Sequence, residues 1–269
     1  MDMQKNYCGD LVRAHDADRY LVSMFAPSDR RADLWALFAF NYEIAKTRDV
    51  VSDTTLGLIR LQWWRDAIAG VYDGNAVPEH EVLKPLAEAI ERHNLPRAHF
   101  DKLIYAREFD LEGVSPENME GLIHYADFTT TPLLCLAAQI CGETLGEDIV
   151  RPVAVNYTLA GILRATAHNA RQGHILLPQD LMRKYDVTKD TLFEEVGQGS
   201  VVSLVQDVTE SRFIDVKSQG NTMLKAFIAI SDIYFRQIVS NGYMVMSPKL
   251  QQPPAFKILR IFWKVKCCH

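Results

Sequence analysis

The sequence lacks any apolar run long enough to cross a membrane as a helix. Its longest stretch without a charged residue is the 15 residues from Phe128 to Gly142, whereas a helix needs about 20 apolar residues to span a bilayer. The sequence also lacks an excess of basic residues, because 29 Lys and Arg stand against 34 Asp and Glu, a net charge of −5. Nucleic acid is therefore not an expected partner, since proteins bind it through clustered cations that neutralise phosphates.

Cysteines and targeting signals are also scarce, and both bear on the cellular compartment. The odd number of cysteines and the lack of a CxxC pair favour a reducing compartment without a disulfide framework. The first ten residues, MDMQKNYCGD, resemble neither a signal peptide nor a transit peptide. We therefore expect a cytoplasmic location and no chemical role for the C-terminal Cys267-Cys268-His269. The five cysteines are Cys8, Cys135, Cys141, Cys267 and Cys268.

Helical periodicity is abundant, whereas the alternation typical of strands is hardly seen. Apolar residues recur at spacings of three and four, and 48% of the residues are hydrophobic, enough for a sizeable core. The sequence predicts an all-α protein with one domain over 1–269, a kink at Pro132 and a structured loop over 171–187. Helices are predicted from Ser28 to near Asp53, from Thr54 to Asp73, and over about 80–93, 97–111, 117–141, 148–168, 200–217, 221–241 and 253–266.

Two acidic residues suggest a cation site. Asp49 and Asp53 are four residues apart, so on a helix both carboxylates lie on one face and could share a Mg²⁺ ion. The alternative is an ordinary solvated helix end, because Mg²⁺ sites normally need more than two protein oxygens.

Other residues provide weaker evidence for a catalytic or metal-binding role. His168 and His174 lie on either side of Arg171, and either histidine could act as a base or a metal ligand. The alternative is that both are ordinary polar loop residues. Trp63 and Trp64 lie on an amphipathic helix, and we expect at least one of them in the core.

Several segments, in this order and spacing, resemble the squalene/phytoene synthase family. They are Leu21–Phe40, Arg60–Ile68, Arg164 together with Arg171–Pro178, and the late helix from Met223 to Ile238, and the likeness extends from about Tyr7 to Trp263. The resemblance implies an isoprenoid-synthase (terpenoid synthase) helical bundle around a central cavity. That implication agrees with the all-α prediction.

Active members of this family join two prenyl diphosphates, and two Asp-rich helices hold Mg²⁺ on the diphosphates. By resemblance, the Asp positions of the first motif fall on Ala45, Lys46 and Asp49, so one carboxylate is retained and Lys46 places a positive charge where an acid is expected. Asp53 lies one turn beyond Asp49. The first motif is therefore degenerate.

The second motif is degenerate too. The Asn and the two Asp of active relatives fall on Gly161, Ala165 and Asn169, while Arg164 is retained. Alanine and glycine side chains offer Mg²⁺ no oxygen. The resemblance therefore implies no cofactor, and Mg²⁺ only if the chain is an active enzyme.

Three functions follow from the resemblance. The first is a non-catalytic protein, similar to the family branch that helps assemble respiratory complex I (NADH dehydrogenase), with complex I subunits or assembly proteins as partners. The second is an active Mg²⁺-dependent prenyltransferase that condenses two prenyl diphosphates. It would use Asp49 and Asp53 together with Lys46, Arg164 and Arg171, which bind the diphosphates. The third is a protein that binds an isoprenoid or quinone tail or another lipid. The first implies peripheral contact with the inner membrane, on the matrix side of the mitochondrion in a eukaryote.

The resemblance also makes geometric predictions. Segments 34–53 and 150–169 should face each other across the cavity, with Ala45 and Ala165 lining the gap. Asp49 should lie inside the cavity and pair with Lys46 or Arg164, because a buried carboxylate without a cation is costly.

Overall fold

The computed structural model describes residues 3–51, 53–193, 198–218 and 220–267, without the side chains of 3–6 and 198. Across these ranges every regular element is a helix, which confirms the all-α prediction. None of the helices in the described ranges has the length and hydropathy needed to cross a membrane. Cys268 and His269 of the C-terminal tail lie outside the described residues.

Fourteen helices are present in the described part of the chain. Side chains of Asp16, Asp53 and Ser247 cap the N-termini of three of them. In chain order they are α1 Met3–His15, α2 Ala17–Ser23, α3 Arg31–Ala45, α4 Thr47–Val50, α5 Thr54–Tyr72, α6 Leu83–His93, α7 Arg97–Glu112, α8 Met119–Ile140, α9 Glu147–Arg171, α10 Gln179–Lys184, α11 Gln198–Glu210, α12 Thr222–Ser240, α13 Pro248–Gln251 and α14 Lys257–Cys267.

The prediction of one helix from Ser28 to near Asp53 is wrong beyond Ala45. The segment is divided into α3 and the one-turn helix α4, and the chain is extended at Val51. Asp53 has extended backbone angles and its side chain caps α5. An N-cap residue lies outside the helical region, so Asp53 cannot also belong to the preceding helix.

Other boundaries differ where side chains from distant segments hold the backbone. The helix predicted over 200–217 ends at Glu210, and Asn156 then exchanges two hydrogen bonds with the backbone of Phe213, each of 2.9 Å. Periodicity also missed α1, α2, α13 and α10, which lies in the predicted loop 171–187. Pro132 lies within α8, and the kink there stays a prediction.

The chain divides into two compact units, of which unit 1 comprises Met1–Glu112, Phe128–Val150 and Asn221–Leu224. Within it α1 and α6 pack on α3, and α5 packs on α7. Phe40 lies at the centre, in edge contact with Trp64 at 5.3 Å and with Phe100 at 5.5 Å between ring centroids. Trp64 is buried, as expected for one of the two tryptophans, while Trp63 is 41% exposed.

Unit 2 comprises Gly113–Asp127, Arg151–Gly220 and Lys225–His269. Within this unit, α9 and α12 meet where the Tyr157 ring contacts the Phe227 ring edge-on, at 4.9 Å between centroids. The Tyr185 hydroxyl donates to Asp207 on α11 at 2.7 Å. That the whole chain forms one domain over 1–269 stays a prediction.

Candidate functional site

The first motif lies at the C-terminal end of α3, beside a buried acid. Glu43 is 4% exposed. Its Oε1 accepts a hydrogen bond from Lys46 Nζ at 2.6 Å, and its Oε2 accepts one from Arg60 Nη2 at 2.9 Å. We call these three residues the Glu43 cluster.

The Glu43 cluster stabilises a carboxylate that would otherwise be costly to bury. A buried charge needs an opposite charge and hydrogen bonds to offset its lost hydration, and Lys46 and Arg60 supply both. The Lys46 ammonium also lies 5.1 Å from the ring centroid of Tyr42, which stacks on His15. The cations at the first motif are therefore fixed in place by an acid and an aromatic ring.

His80 lies beside the Glu43 cluster and caps a helix. Its Nδ1 accepts a hydrogen bond from the backbone N–H of Val82 at 3.1 Å, at the start of α6. Burial lowers the pKa of His80, although the nearby charges of Glu43 and Glu81 act in the opposite direction. The imidazole ring lies 5.0 Å from the buried Trp64 ring. Capping and burial both favour the neutral imidazole.

Asp49 does not lie where we expected it. Its side chain is 59% exposed, and its ion pair is with the adjacent Arg48, at 3.9 Å. The expectation that Asp49 is buried and pairs with Lys46 is therefore wrong, whereas its pairing with Arg164 stays a prediction. The physical reason is that Glu43, one turn before Lys46 on α3, takes the Lys46 ammonium, while α3 ends before Asp49 is reached.

Asp53, the second acid of the predicted metal pair, caps α5. Its Oδ1 accepts a hydrogen bond from the Thr55 backbone N–H at 2.7 Å, and the hydrogen bonds from Thr55 and Leu56 lower its pKa. In the described ranges, no three His, Cys, Asp or Glu side chains are grouped as metal ligands. Metal binding by Asp49 and Asp53 stays a prediction.

The second motif lies on α9, where Arg164 contacts an aromatic ring. The Arg164 guanidinium lies 3.7 Å from the ring centroid of Tyr234 on α12. Lys257 Nζ donates to the Tyr234 hydroxyl at 2.7 Å. We call Arg164, Tyr234 and Lys257 the Tyr234 cluster. The Arg164 Nε is buried and has no hydrogen-bond partner among the described residues.

The other positions of the second motif follow one side of α9 at intervals of four residues. Gly161 is exposed, and a Cβ added there would meet no atom within 4 Å. Ala165 and Asn169 are half-buried, and Arg171 at the end of α9 is exposed. That α3 and α9 face each other across a cavity, with Ala45 and Ala165 lining it, stays a prediction, as does anion binding by Lys46, Arg164 and Arg171.

The two histidines near Arg171 differ in exposure. His168 is exposed and His174 is half-buried. The backbone N–H of His174 donates to the Asn169 carbonyl at 2.8 Å, which closes the end of α9 as an ordinary helix terminus does. A role for His168 or His174 as a base or metal ligand stays a prediction.

Sequence reasoning missed Glu43, Arg60 as its partner, Tyr234 and Lys257. Glu43 could have been found, because an acid three residues before Lys46 on a helix is a common ion-pair spacing. Tyr234 and Lys257 carry no such local signal, since they are far from Arg164 along the chain and meet it only through the packing of helices.

The helical fold and the two motif regions define a protein of the squalene/phytoene synthase type. A family model for squalene/phytoene synthase matches residues 12–212, so the chain belongs to this family. It is similar to NADH dehydrogenase (ubiquinone) complex I, assembly factor 6, of Bos taurus, with 29% identity over 91% of this chain and 77% of the relative. The Homo sapiens protein of that name is 27% identical over 92% of this chain and 77% of the relative.

A phytoene synthase is a further relative. The Thermus thermophilus enzyme is 27% identical, over 68% of this chain and 62% of the relative. The family resemblance inferred from the motifs is thus confirmed. The relatives of this chain include proteins named as enzymes as well as proteins named as assembly factors.

Solved structures confirm the isoprenoid-synthase fold class. A dehydrosqualene synthase has a TM-score of 0.77 at 17% identity, covering 98% of this chain and 95% of its own. A squalene synthase from Alicyclobacillus acidocaldarius has a TM-score of 0.72 at 19% identity, covering 89% of this chain and 94% of its own.

Proposed function

We propose that this chain is a non-catalytic member of the squalene/phytoene synthase family that acts in the assembly of respiratory complex I. The observation that carries the proposal is Lys46, which stands at an acid position of the first motif and pairs with the buried Glu43. The names of the Bos taurus and Homo sapiens relatives supply the assembly role. The partners would be complex I subunits or assembly proteins, at the matrix side of the inner membrane in a eukaryote.

The physical reason concerns the charge of a departing diphosphate. Bridging Mg²⁺ ions must neutralise that charge, and the protein must hold them with oxygen ligands. Both Glu43 oxygens already accept hydrogen bonds from cations, and Asp53 accepts the backbone N–H of Thr55. Asp49 is left as an exposed carboxylate beside Arg48, and one carboxylate does not meet the needs of Mg²⁺.

The same reasoning applies to the second motif. Gly161 and Ala165 have no side-chain oxygen, and Asn169 offers a neutral amide where active relatives have a carboxylate. These features support the proposal that no resident metal is needed for this protein's function.

The test in cells separates assembly from synthesis. Deletion of the gene should remove assembled NADH dehydrogenase from native gels and leave squalene and carotenoid levels unchanged. Complementation with Asp49→Ala should restore assembly as fully as the natural chain, because the proposed role does not use a bound metal. Failure of deletion to affect the complex would contradict the assembly role.

The test in solution addresses catalysis directly. The purified chain, incubated with farnesyl or geranylgeranyl diphosphate and Mg²⁺, should release no diphosphate above the protein-free control. The phytoene synthase of Thermus thermophilus is a suitable positive control, since it is an enzyme of the same family. Robust turnover by the natural chain would refute the non-catalytic proposal and favour the prenyltransferase.

The prenyltransferase remains the second candidate, and two observations favour it. One is the likeness to phytoene synthases. The other is the Tyr234 cluster, where Arg164 presents a buried Nε without a partner among the described residues. In this alternative Lys46, Arg164 and Arg171 bind the diphosphates, together with Mg²⁺ held at Asp49 and Asp53. Binding of an isoprenoid or quinone tail without turnover is the third candidate.

A further inference from the structure

The C-terminal helix α14 presents an apolar face to solvent. Ile258, Leu259, Phe262 and Trp263 are between 53% and 65% exposed, and Phe256, just before the helix, is 77% exposed. The spacing of i, i+1, i+4 and i+5 places the four helical residues on one side of α14. Contiguous exposed apolar residues mark interaction surfaces more often than isolated ones do.

The opposite side of α14 is fixed to unit 2. Ile261 and Val265 are buried. Lys264 Nζ forms an ion pair with Asp232 on α12, and Lys257 donates to the Tyr234 hydroxyl. These contacts hold the helix in one orientation. The exposed apolar face is therefore a fixed feature of this unit.

The charged residues within the segment 248–267 are all basic. Residues 248–267 contain five Lys and Arg and no Asp or Glu, although the whole chain has a net charge of −5. Lys249, Arg260 and Lys266 are exposed, whereas Lys257 and Lys264 are half-buried. An acidic chain therefore carries a local basic patch beside an apolar face.

We propose that α14 docks on an anionic lipid surface. Exposed Trp, Phe and Leu on one face of a helix with Lys and Arg beside them are typical of helices that lie in the membrane interface. The cations would meet the negative headgroups while Phe262 and Trp263 enter the boundary of the acyl chains. With 11 residues, α14 is about 16 Å long, which suits a helix lying along the surface.

Two features of α14, its charge and its aromatic side chains, favour a lipid surface over a protein partner. An apolar protein groove would complement Ile258, Leu259 and Phe262 equally well, but it would not account for the lack of acids over 248–267. An anionic bilayer complements both features at once. The proposed role in complex I assembly already implies peripheral contact with the inner membrane, and this inference rests on that role while assigning the contact to α14.

The experiment measures sedimentation of the full chain with vesicles. Phosphatidylcholine vesicles serve as the neutral surface, and phosphatidylcholine with phosphatidylglycerol serves as the anionic one. We expect the protein to bind the anionic vesicles at least about tenfold more strongly, and added salt to weaken this binding. No binding to anionic vesicles, or equal binding to both kinds, would overturn the proposal.

Two variants test whether α14, and not another group of exposed apolar residues, binds the vesicles. The double variant Phe262→Ser/Trp263→Ser should lose roughly tenfold or more of the binding to anionic vesicles. The matched control is Leu56→Ser/Ile59→Ser on α5, where the side chains are 53% and 61% exposed, and it should bind as the natural chain does. Circular dichroism checks that both variants are folded. Equal binding by the Phe262/Trp263 variant and the natural chain would refute the assignment.

The basic residues require a separate variant. Arg260→Gln/Lys266→Gln should weaken binding to anionic vesicles by roughly fivefold per cation removed and reduce its salt dependence. Analytical ultracentrifugation of the natural chain tests the rival occupant, a second copy of the chain. A dimer that the Phe262→Ser/Trp263→Ser variant abolishes would overturn the lipid proposal in favour of a self-interface.

Discussion

The Glu43 cluster and the Tyr234 cluster hold their cations by different means. In the first, one buried carboxylate accepts hydrogen bonds from Lys46 and Arg60. In the second, Arg164 lies on the face of a tyrosine ring and Lys257 donates to its hydroxyl. The first motif is therefore stabilised by charge pairing, and the second by an aromatic ring and one hydrogen bond from an ammonium to a hydroxyl.

The comparison shows two ways in which a degenerate site can remain stable. Pairing a buried carboxylate with cations leaves it little capacity for another ligand. A cation over an aromatic ring keeps its charge uncompensated, because the ring contributes only its quadrupole. The Glu43 carboxylate should therefore have less affinity for an added cation than Arg164 has for an added anion. The following predictions test this difference.

The largest expected effect is a gain of Mg²⁺ binding. Ala45→Asp with Lys46→Asp should restore acids to the first motif, and Gly161→Asn, Ala165→Asp and Asn169→Asp should restore ligands to the second. Positions 161, 165 and 169 are four residues apart on α9, so oxygen ligands placed there can share a cation. The variant with all five changes should therefore bind Mg²⁺ in a calorimetric titration, and the natural chain should not.

The control for this prediction is each motif restored alone. We expect either partial variant to bind Mg²⁺ more weakly than the full variant, because fewer oxygens are then available. Mg²⁺ binding by the natural chain, at the strength of the full variant, would contradict our interpretation of both motifs.

Breaking the Glu43 cluster should have the largest effect on stability. Glu43→Gln removes the one negative charge that pairs with Lys46 and Arg60. It should lower the free energy of unfolding by about 2 kcal/mol. This is less than the usual cost of breaking a fully buried ion pair, because both cations are partly exposed. Urea denaturation measures the loss. Asp49→Asn is the matched control, and its exposed side chain should change stability by less than about 0.5 kcal/mol. An equal effect of both substitutions would contradict the assigned difference.

The Tyr234 cluster should be less sensitive. Arg164→Ala removes a cation from the face of Tyr234 and should cost about 1 kcal/mol, the scale of a partly shielded cation–π contact. Arg171→Ala, at an exposed position of the same helix, is the control. A cost for Arg164→Ala above that of Glu43→Gln in the same denaturation assay would reverse the proposed order of the two clusters.

The parts of this molecule that could be predicted from sequence are those fixed by local spacing. The start of α5 at Thr54 followed from its apolar periodicity, and it is confirmed. The end of α3 at Ala45 did not follow, because the apolar periodicity gave no sign of the break between α3 and α4. Glu43 is close to Lys46 along the chain, yet its burial depends on how other helices pack on α3. The contact of Arg164 with Tyr234 joins two helices and has no local sign.

The smallest expected effect is a pH dependence of stability centred on His80. Burial lowers the pKa of this residue in the folded protein, whereas the unfolded chain should titrate near the usual value of about 6.5. Between these two pKa values the unfolded state binds more protons, so the stabilisation is present above about pH 6.5 and is lost as the pH falls through that range. The slope of unfolding free energy against pH should therefore be positive in this window.

His80→Asn isolates this contribution, because the amide oxygen can still accept the Val82 N–H that His80 Nδ1 accepts while the side chain no longer titrates. Urea denaturation between about pH 8 and pH 5 should give a shallower slope for the variant than for the natural chain. Some slope should remain, since burial also lowers the pKa of His99 on α7, and His80→Asn/His99→Asn should reduce it further. Identical slopes for His80→Asn and the natural chain would mean that the imidazole beside Glu43 takes up its proton as readily in the folded state as in the unfolded state. Glu43 would then interact with His80 strongly enough to offset its burial, and the first motif would be more receptive to an added positive charge than the pairing with Lys46 and Arg60 implies.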